Sequence, residues 1–357
     1  MLEAGAVITL DAGEYRLREP LAGSAYGVVW RARPPTPAKD VALKLVNRPQ
    51  MERALPGQRA HWIASANNEI AFLRSLEPWD GSHIVRLLDS GEHDGLPVMA
   101  LELLDGDLAR HVRAERSAGR PIEFAQALDW LAQINQALAK VHQYGWRYLD
   151  LKPSNVLLDA QRGTVKLADF GTNRLLGDSH AHSYAGTASW QAPEQFFPAS
   201  AQGYDTDART DYFVLGAMFY YLVSGGLPLR FCSDCGQAYR EHQSGGAAAL
   251  LARHGGAMPP TLREDEAALF SYRIERQLHA GRDTTWRPAG APSASGSKEA
   301  LVLLRALLAA KRGQRPQHAI TISRMIADIR DAMAGELRHV PPRQLAPAPL
   351  HALRRAA

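Results

Sequence analysis

The chain changes character near Gly106, and this change limits the folds that it can adopt. Before Gly106, short apolar or alternating runs are separated by Gly, Pro and Asp, which is typical of a meandering antiparallel sheet. The predicted strands cover residues 14–21, 27–33, 40–46, 84–90 and 97–103. One helix is predicted among them, over 60–76, because its apolar residues recur near one face. After Gly106 the apolar spacing becomes helical, and helices are predicted around 128–141, 212–223 and 299–310.

These patterns predict an α+β fold with two lobes. The small lobe, residues 15–104, would be an antiparallel β-sheet with one helix, and the larger lobe, residues 105–335, would be α-helical, with a hinge near 103–107. Within the larger lobe, residues 229–297 contain Gly and Pro pairs, and we expect an irregular, flexible insertion there. Residues 336–357 are expected to form a basic, Pro-containing tail, disordered from Val340 onward.

Composition excludes several classes of protein. The 357 residues are 46% hydrophobic and 22% charged, which argues against a disordered chain, a collagen-like repeat or a coiled coil. The net charge of +4 does not predict a nucleic-acid partner. The apolar run over 212–223 is shorter than the ~20 residues of a membrane span, and the first residues do not resemble a signal peptide. We therefore expect a soluble, cytoplasmic protein without a membrane or nucleic-acid partner.

One short run carries the residues expected to do chemistry. Asp150, Lys152 and Asn155 lie within six positions, and Pro153 between them favours a loop. A carboxylate can accept a hydroxyl proton, an ammonium can neutralise phosphate charge, and an amide oxygen can bind a hard cation. A second carboxylate, Asp169, follows in a predicted Asp-Phe-Gly turn and is suited to holding Mg²⁺. The combination indicates phosphoryl transfer.

These runs resemble the catalytic loop and the Asp-Phe-Gly motif of the eukaryotic-type (Hanks-type) Ser/Thr protein kinase family. Other motifs of the family follow in its order: Val41-Ala42-Leu43-Lys44 on a strand, Glu69 on the small-lobe helix, Gly186-Thr187, Ala192-Pro193-Glu194, Asp211 and Arg315. The resemblance covers about residues 15–335. It implies a two-lobed kinase fold with ATP and Mg²⁺ bound in the cleft between the lobes.

The resemblance also implies a role for each matching residue. Asp150 would orient and deprotonate the substrate hydroxyl, and Lys152 would stabilise the transferring phosphoryl group. Lys44, paired with Glu69, would contact the α- and β-phosphates, and Asn155 and Asp169 would hold Mg²⁺. The remaining residues of the predicted ATP site are Leu21, Ala22, Ser24, Gly27 and Val29 of the phosphate-covering loop, Ala42 and Leu157 around adenine, and the backbone from Glu102 to Leu104. Glu194 and Arg315 are expected to form a structural ion pair.

The chain departs from the family pattern at two places. In the phosphate-covering loop, Ala22 and Ser24 replace two of three glycines, which predicts a stiffer loop and lower ATP affinity. Before the catalytic acid, Tyr148 and Leu149 replace the usual histidine and arginine. That arginine is the family's receptor for a phosphate on the activation segment. We therefore predict that activity does not require phosphorylation within residues 172–189, although Thr172, Ser179, Ser183 and Tyr184 are modifiable.

Lys152, Pro153 and the long segment from Asp169 to Glu194 resemble kinases that act on serine and threonine of proteins, and autophosphorylation is possible. Two other functions remain open. The altered loop would suit a pseudokinase that binds nucleotide or acts as a scaffold, although such a protein has no chemical need for the complete set of catalytic residues. The second open function is that of a kinase that phosphorylates small molecules.

Cys232 and Cys235 form a C-x-x-C pair followed by His242 and His254. The spacing of the histidines is irregular for zinc. Structural zinc, a redox role and simple packing of the cysteines all remain open.

Overall fold

The structure is a computed structural model that describes residues 2–24, 26–36, 38–178, 186–201, 203–279 and 295–338. Within these residues, six strands form one antiparallel sheet in the order β1-β2-β3-β4-β6-β5. They are β1 (Val7–Leu10), β2 (Gly13–Gly23), β3 (Gly27–Arg33), β4 (Val41–Val46), β5 (Leu87–His93) and β6 (Leu96–Glu102). The helices α1 (Arg48–Arg53) and α2 (Pro56–Ser75) lie between β4 and β5.

The remaining described elements include five short strands and nine α-helices. The strands are β7 (Gly106–Asp107), β8 (Trp146–Arg147), β9 (Val156–Asp159), β10 (Thr164–Leu167) and β11 (Arg174–Leu175). The helices are α3 (Leu108–Ser117), α4 (Phe124–Gln143), α5 (Pro193–Phe196), α6 (Ala208–Val223), α7 (Arg230–His242), α8 (Gly246–Arg253), α9 (Glu264–Leu278), α10 (Ser295–Leu307) and α11 (Ala319–Arg338). A small antiparallel β lobe and a larger helical lobe confirm the predicted α+β, two-lobed fold.

The core has two parts. One face of the sheet buries Ile8, Tyr15, Leu43 and Ala100 in a cluster of its own. The larger cluster fills the helical lobe around α4 and α6 and continues into the small lobe through Ile70, Phe72 and Leu73 of α2. Helix α2 is thus packed against both lobes, which positions its remaining side chains toward the cleft.

Alternation along β4 determines which side chains face the cleft. Val41, Leu43 and Leu45 are buried, whereas Ala42 and Lys44 between them are only partly buried. Successive side chains of a strand point to opposite faces of the sheet, so the motif Val-Ala-Leu-Lys separates core residues from cleft residues. Val29 lies opposite Lys44 in the neighbouring strand and shares its face.

Several predicted boundaries were wrong. The small lobe begins before residue 15, because β1 pairs with β2 and buries Ile8 and Leu10. Strand β5 begins three residues later than predicted, and α2 begins at Pro56, whose fixed φ suits the first helical turn. Helix α11 continues to Arg338, so the predicted tail does not begin at 336.

The prediction of an irregular segment over 229–297 was wrong for its described part. Three helices, α7, α8 and α9, occupy most of residues 230–278 and bury Phe231, Leu250 and Phe270 in the main core. Of the pairs that suggested irregular structure, Gly255-Gly256 and Pro259-Pro260 lie in the connection between α8 and α9, whereas Gly245-Gly246 lies at the start of α8. Residues 280–294 and the tail from 339 lie outside the described residues. We propose that the lobes divide at Leu104, because β6 ends at Glu102 and β7 already pairs with β9 of the larger lobe.

Candidate active site

The predicted catalytic loop forms a closed network of hydrogen bonds around Asp150. Lys152 Nζ donates to Asp150 Oδ2 at 2.7 Å and to Thr187 Oγ1 at 2.8 Å. Thr187 Oγ1 donates to the other carboxylate oxygen of Asp150 at 2.8 Å. Asn155 Nδ2 donates to the Asp150 backbone carbonyl at 2.9 Å and to its Oδ2 at 3.1 Å. The carboxylate is therefore held in one orientation, a requirement for a proton acceptor.

A second cluster joins the small lobe to the larger one. Lys44 Nζ on β4 donates to Glu69 Oε2 on α2 at 2.6 Å and to Asp169 Oδ1 at 2.9 Å. Glu69 is buried, whereas the Asp169 side chain is 48% exposed and open to the cleft. One ammonium thus links the β-sheet, the helix α2 and the Asp-Phe-Gly turn.

Burial and charge shift the protonation of these groups in different directions. Burial raises the pKa of Asp150, and the ammonium of Lys152 opposes this shift. Lys44 lowers the pKa of Asp169, so that carboxylate stays ionised. Burial alone would lower the pKa of Lys44, but Asp169 and Glu69 outweigh it and raise that pKa. The site therefore combines a firmly charged cation with carboxylates of different basicity, as phosphoryl transfer requires.

Three aromatic rings connect the catalytic loop to α2. Phe170 packs against Phe72 with ring centroids 4.6 Å apart, and against Tyr148 at 5.2 Å. The Tyr148 hydroxyl also donates to the backbone carbonyl of Ala168, just before Asp169. Tyr148 therefore contributes both a ring to this stack and a hydrogen bond to the strand end that carries the Asp-Phe-Gly turn.

The backbone beside Asp150 is strained and is held by several contacts. Leu149 has φ of 66°, in the left-handed region that non-glycine residues rarely adopt. Its N–H donates to Asp211 Oδ1 at 2.8 Å, and the Tyr148 N–H donates to Asp211 Oδ2 at 2.9 Å. The Leu149 carbonyl accepts from Gln195 Nε2 at 2.8 Å. Strain of this kind persists only where surrounding contacts enforce it, and these contacts set the position of Asp150.

The phosphate-covering loop closes on itself through Ser24. Its Oγ accepts hydrogen bonds from the N–H groups of Tyr26, at 3.2 Å, and Gly27, at 3.1 Å. Asn47 Nδ2 donates to the Ser24 carbonyl at 2.7 Å. Two loop amides are thus engaged by a side chain at a position where the family pattern has glycine.

The other residues of the predicted ATP site lie on both lobes. Ala22, which pairs with Val29 in the register of β2 and β3, is exposed, and Leu21 and Ala42 are partly buried. Leu157 lies on β9 of the larger lobe and is partly buried. The Glu102 side chain accepts hydrogen bonds from Arg86 N–H and Lys166 Nζ, which secures the strand end before Leu104.

Three residues that support the site were missed from the sequence. Ser65 Oγ on α2 donates to the carbonyl of Gly171 at 2.8 Å. The buried Arg147 donates to the carbonyl of Thr206 at 2.7 Å and to that of Asp178 at 3.0 Å. Gln195 supports Leu149, as described above. No local pattern marks Ser65 or Arg147, because each contact joins elements far apart in the chain.

The predicted structural ion pair is confirmed. Arg315 donates from two nitrogens to both carboxylate oxygens of Glu194, at 2.6 and 2.9 Å. Its guanidinium also lies over the Phe213 ring, 4.9 Å from the centroid. A planar, two-point contact of this type fixes orientation as well as charge.

The cysteines pack in the core. Cys232 and Cys235 are buried and unbonded to each other. Burial raises the pKa of Cys232 to about 12 and also raises that of Cys235, so both remain thiols. Across the described ranges, no three His, Cys, Asp or Glu side chains are grouped so that they could hold a metal ion. These observations favour the packing role among the three that the sequence leaves open.

None of the helices in the described part of the chain combines the length and apolar character needed to cross a bilayer.

Comparison with known proteins agrees with this geometry. The family profile described as "Protein kinase domain" matches residues 15–325, most of the chain. The chain is similar to Serine/threonine-protein kinase PkaA of Streptomyces coelicolor, with 34% identity over 224 residues, which cover 60% of this chain and 39% of that protein. Serine/threonine-protein kinase PknJ of Mycobacterium tuberculosis is 30% identical over 269 residues, 74% of this chain and 40% of that protein.

A human protein is also similar. Cyclin-dependent kinase 20 of Homo sapiens is 30% identical over 215 residues, 59% of this chain and 57% of that protein. The aligned region thus spans less than two thirds of the length of each of these relatives.

Proposed function

The chain belongs to the protein kinase family, and on that premise we propose that it transfers the γ-phosphate of ATP to serine and threonine hydroxyls of protein substrates. One observation above all supports this function. Asp150, Lys152 and Thr187 form a single hydrogen-bonded unit, while Lys44 joins Glu69 to Asp169 across the cleft. Scaffolding alone would not require both arrangements.

In the proposed reaction, Asp150 receives the proton of the attacking hydroxyl. Lys152 and Thr187 hold its carboxylate by hydrogen bonds, so little reorganisation is needed at the moment of transfer. The ammonium of Lys152, hydrogen-bonded to Asp150 and Thr187, would balance charge on the transferring group. Lys44, fixed by Glu69, would bind the α- and β-phosphates.

The residues present fit Mg²⁺. Asp169 provides an ionised carboxylate open to the cleft, and Asn155 provides an amide oxygen, because its nitrogen is engaged with Asp150. Oxygen ligands of this type suit a hard cation. When bound, Mg²⁺ neutralises phosphate charge.

For the nucleotide base, we propose contacts with Val29, Ala42 and Leu157, with Leu21 at the cleft edge and backbone hydrogen bonds from Glu102 to Leu104.

We further propose proteins with Ser or Thr, including this chain itself, as substrates. Lys152, on which the Ser/Thr prediction partly depends, is hydrogen-bonded to Thr187 in the segment between Asp169 and Glu194. Two of the three relatives described above carry serine/threonine-protein kinase in their names.

A cytoplasmic location and the absence of a nucleic-acid partner stay predictions from the sequence.

A time course with γ-labelled ATP and Mg²⁺ tests the function. We expect label on a generic protein substrate or on the chain itself, with mass mapping to serine and threonine. Asp150→Ala serves as the inactive reference. Equal transfer by both proteins would refute the role of Asp150, and transfer only to a metabolite would indicate a small-molecule kinase.

The pseudokinase alternative has one structural observation in its favour. Ser24 engages the amides of Tyr26 and Gly27, which are then less free to bind phosphates. Nucleotide binding without any turnover in the same time course would select this alternative.

We also propose that activity does not depend on phosphorylation of the segment after Asp169. Leu149 cannot bind a phosphate, and other contacts hold the neighbouring chain. Ser65 links α2 to Gly171, and Arg147 joins Asp178 to Thr206 through two backbone carbonyls. These contacts need no phosphate group. Thr172 lies in the described part, whereas Ser179, Ser183 and Tyr184 lie outside it.

Arg147 gives a direct test of this proposal. We expect phosphatase-treated protein to keep its full transfer rate, and Arg147→Met to lose about tenfold, because misplacement near a catalytic loop lowers the rate steeply. The exposed Arg162→Met is the matched control and should retain wild-type activity. A large loss on phosphatase treatment would contradict the proposal, and wild-type activity of Arg147→Met would show that Arg147 does not support this segment.

The raised pKa of Asp150 predicts a particular pH dependence. A protonated Asp150 cannot accept the hydroxyl proton, so kcat should fall on acidification through an apparent pKa above the ordinary aspartate value of 3.8. Because Lys152 lowers the pKa of Asp150, Lys152→Gln should shift this acidic fall in kcat to still higher pH. Steady-state kcat against pH, with circular dichroism to exclude unfolding, measures both. If the fall in kcat occurred at the same pH in Lys152→Gln as in wild type, Asp150 would not be the group that titrates.

A further inference from the structure

Helix α9, in the segment expected to be irregular, forms one wall of a cavity of about 440 Å³. The opposite wall is the connection from α3 to α4, and the end of α6 closes the side. Gln277 secures α9 there, since its Oε1 accepts from Phe124 N–H at 2.6 Å and its Nε2 donates to the Ile122 carbonyl at 3.0 Å. The cavity is therefore preformed, which lowers the entropic cost of binding.

Four arginines line this cavity: Arg116 and Arg120 from the α3 side, and Arg273 and Arg276 from α9. Arg120 is paired in two-point fashion with Glu115, at 2.7 and 2.8 Å. The other three form no ion pair with any described residue, and the buried Nε of Arg273 lacks a hydrogen-bond partner there. Glu123 is the one acid among the lining residues. The cavity thus has an excess of positive charge and unused donors.

Another part of the lining is apolar. Val112 and Ile122 are buried core residues that reach the cavity, and Leu227 and Pro121 complete this part of the wall. A ligand that fits must therefore carry anionic groups beside an apolar group. Arginine binds carboxylate and phosphate by paired hydrogen bonds, and the concave shape suits a protruding chain segment better than a flat lipid surface.

The chain's own segments outside the described residues do not complement this charge. Residues 280–294 contain two arginines and one aspartate, and residues 339–357 contain three arginines and no acid. Electrostatic complementarity therefore points to a separate molecule. We propose that the cavity binds an acidic peptide segment of a partner protein, with its carboxylates on Arg116, Arg273 and Arg276 and an apolar side chain against Ile122.

Fluorescence anisotropy on the full chain, without nucleotide, tests the proposal. The probe is a fluorescein-labelled peptide of glutamates flanking two leucines, and the reference peptide has glutamine in place of glutamate. We expect the acidic peptide to bind at least about tenfold more tightly than its neutral counterpart, since charge-assisted hydrogen bonds are lost in the latter. Binding should weaken as salt is raised.

The exposed pair Arg116→Gln and Arg276→Gln should weaken binding by at least about tenfold. Arg324→Gln, an exposed arginine on α11, is the matched control and should bind as wild type. Arg273→Lys keeps the positive charge but loses the paired N–H donors of the guanidinium. It tests the partly buried arginine of the cavity and should give an intermediate loss of peptide affinity. Equal binding by wild type and the double variant would overturn the proposal, as would binding of phosphatidylserine vesicles without binding of the peptide.

The inference does not depend on catalysis. The double variant should phosphorylate a generic substrate at the wild-type rate, because its residues lie outside the catalytic cleft. Peptide binding by a chain that transfers no phosphate would leave the cavity assignment intact and refute only the proposed enzyme activity.

Discussion

Replacing Asp150 by asparagine is expected to lower kcat by about 10²–10⁴-fold, the usual contribution of a positioned proton acceptor. The amide has nearly the same shape: its oxygen can accept from Lys152, and its NH₂ group can donate to the Thr187 hydroxyl, whose oxygen also accepts hydrogen bonds. It cannot take a proton from a hydroxyl. The loss should therefore appear in kcat, with little change in the KM for ATP, because Lys44 and Asp169 remain in place.

Single-turnover transfer and calorimetric binding of Mg²⁺-nucleotide measure the two effects separately. Asp129→Asn is the matched control, an exposed aspartate on α4 that pairs with Arg330. It should leave both quantities unchanged. Wild-type turnover by Asp150→Asn would remove Asp150 from the mechanism, and a loss of nucleotide binding as large as the loss in rate would show that the substitution disturbs the cleft.

Asp211→Asn should affect both stability and rate, although Asp211 does not face the cleft. Its carboxylate is buried at the start of α6 and accepts the N–H groups of Tyr148 and Leu149, with His142 Nε2 2.8 Å away. In the asparagine variant, one NH₂ group must face a backbone donor. We expect a loss of about 2–4 kcal/mol in the free energy of unfolding, the cost of unmet buried hydrogen bonds.

The rate should fall as well, by about 10²-fold, because relaxation of Leu149 displaces the adjacent Asp150. Denaturant unfolding and kcat on the same preparation provide the two values. Asp207→Asn, at the N-cap of the same helix, is the control. Asparagine caps helices as well as aspartate does, so only its partly exposed ion pairs are lost and the expected change is below ~1 kcal/mol. A wild-type rate in Asp211→Asn would show that the strained backbone at Leu149 does not affect catalysis.

The sequence predicted the architecture well where the signal is local. The family resemblance assigned Ala42 and Lys44 to the ATP site, and their alternation with buried residues along β4 gives both side chains the same face of the sheet, because the period of a strand is set by its backbone geometry. The catalytic loop was recognisable for a similar reason. Asp150, Lys152 and Asn155 lie within one short run, so their proximity follows from chain connectivity.

Local patterns failed where Gly and Pro lie between helices. Their pairs in 245–260 suggested an irregular segment, yet α7, α8 and α9 flank them and bury large apolar side chains. Turn residues mark where a chain bends but not what the flanking residues pack against. The four residues of β1 were missed because so short a strand becomes recognisable only through its pairing with β2.

By itself, the sequence therefore determined the order of the lobes and predicted the acids and cations of the proposed catalytic site. Only the tertiary structure decided which contacts hold them in place. Asp211 accepts a hydrogen bond from the Leu149 N–H, and Ser65 donates one to the Gly171 carbonyl. Arg147 donates to the carbonyls of Asp178 and Thr206. It also brought arginines from α3 and α9 together around one cavity. These partners are separated by roughly 30 to 160 positions, and packing of the core, which no local pattern encodes, brings them into contact.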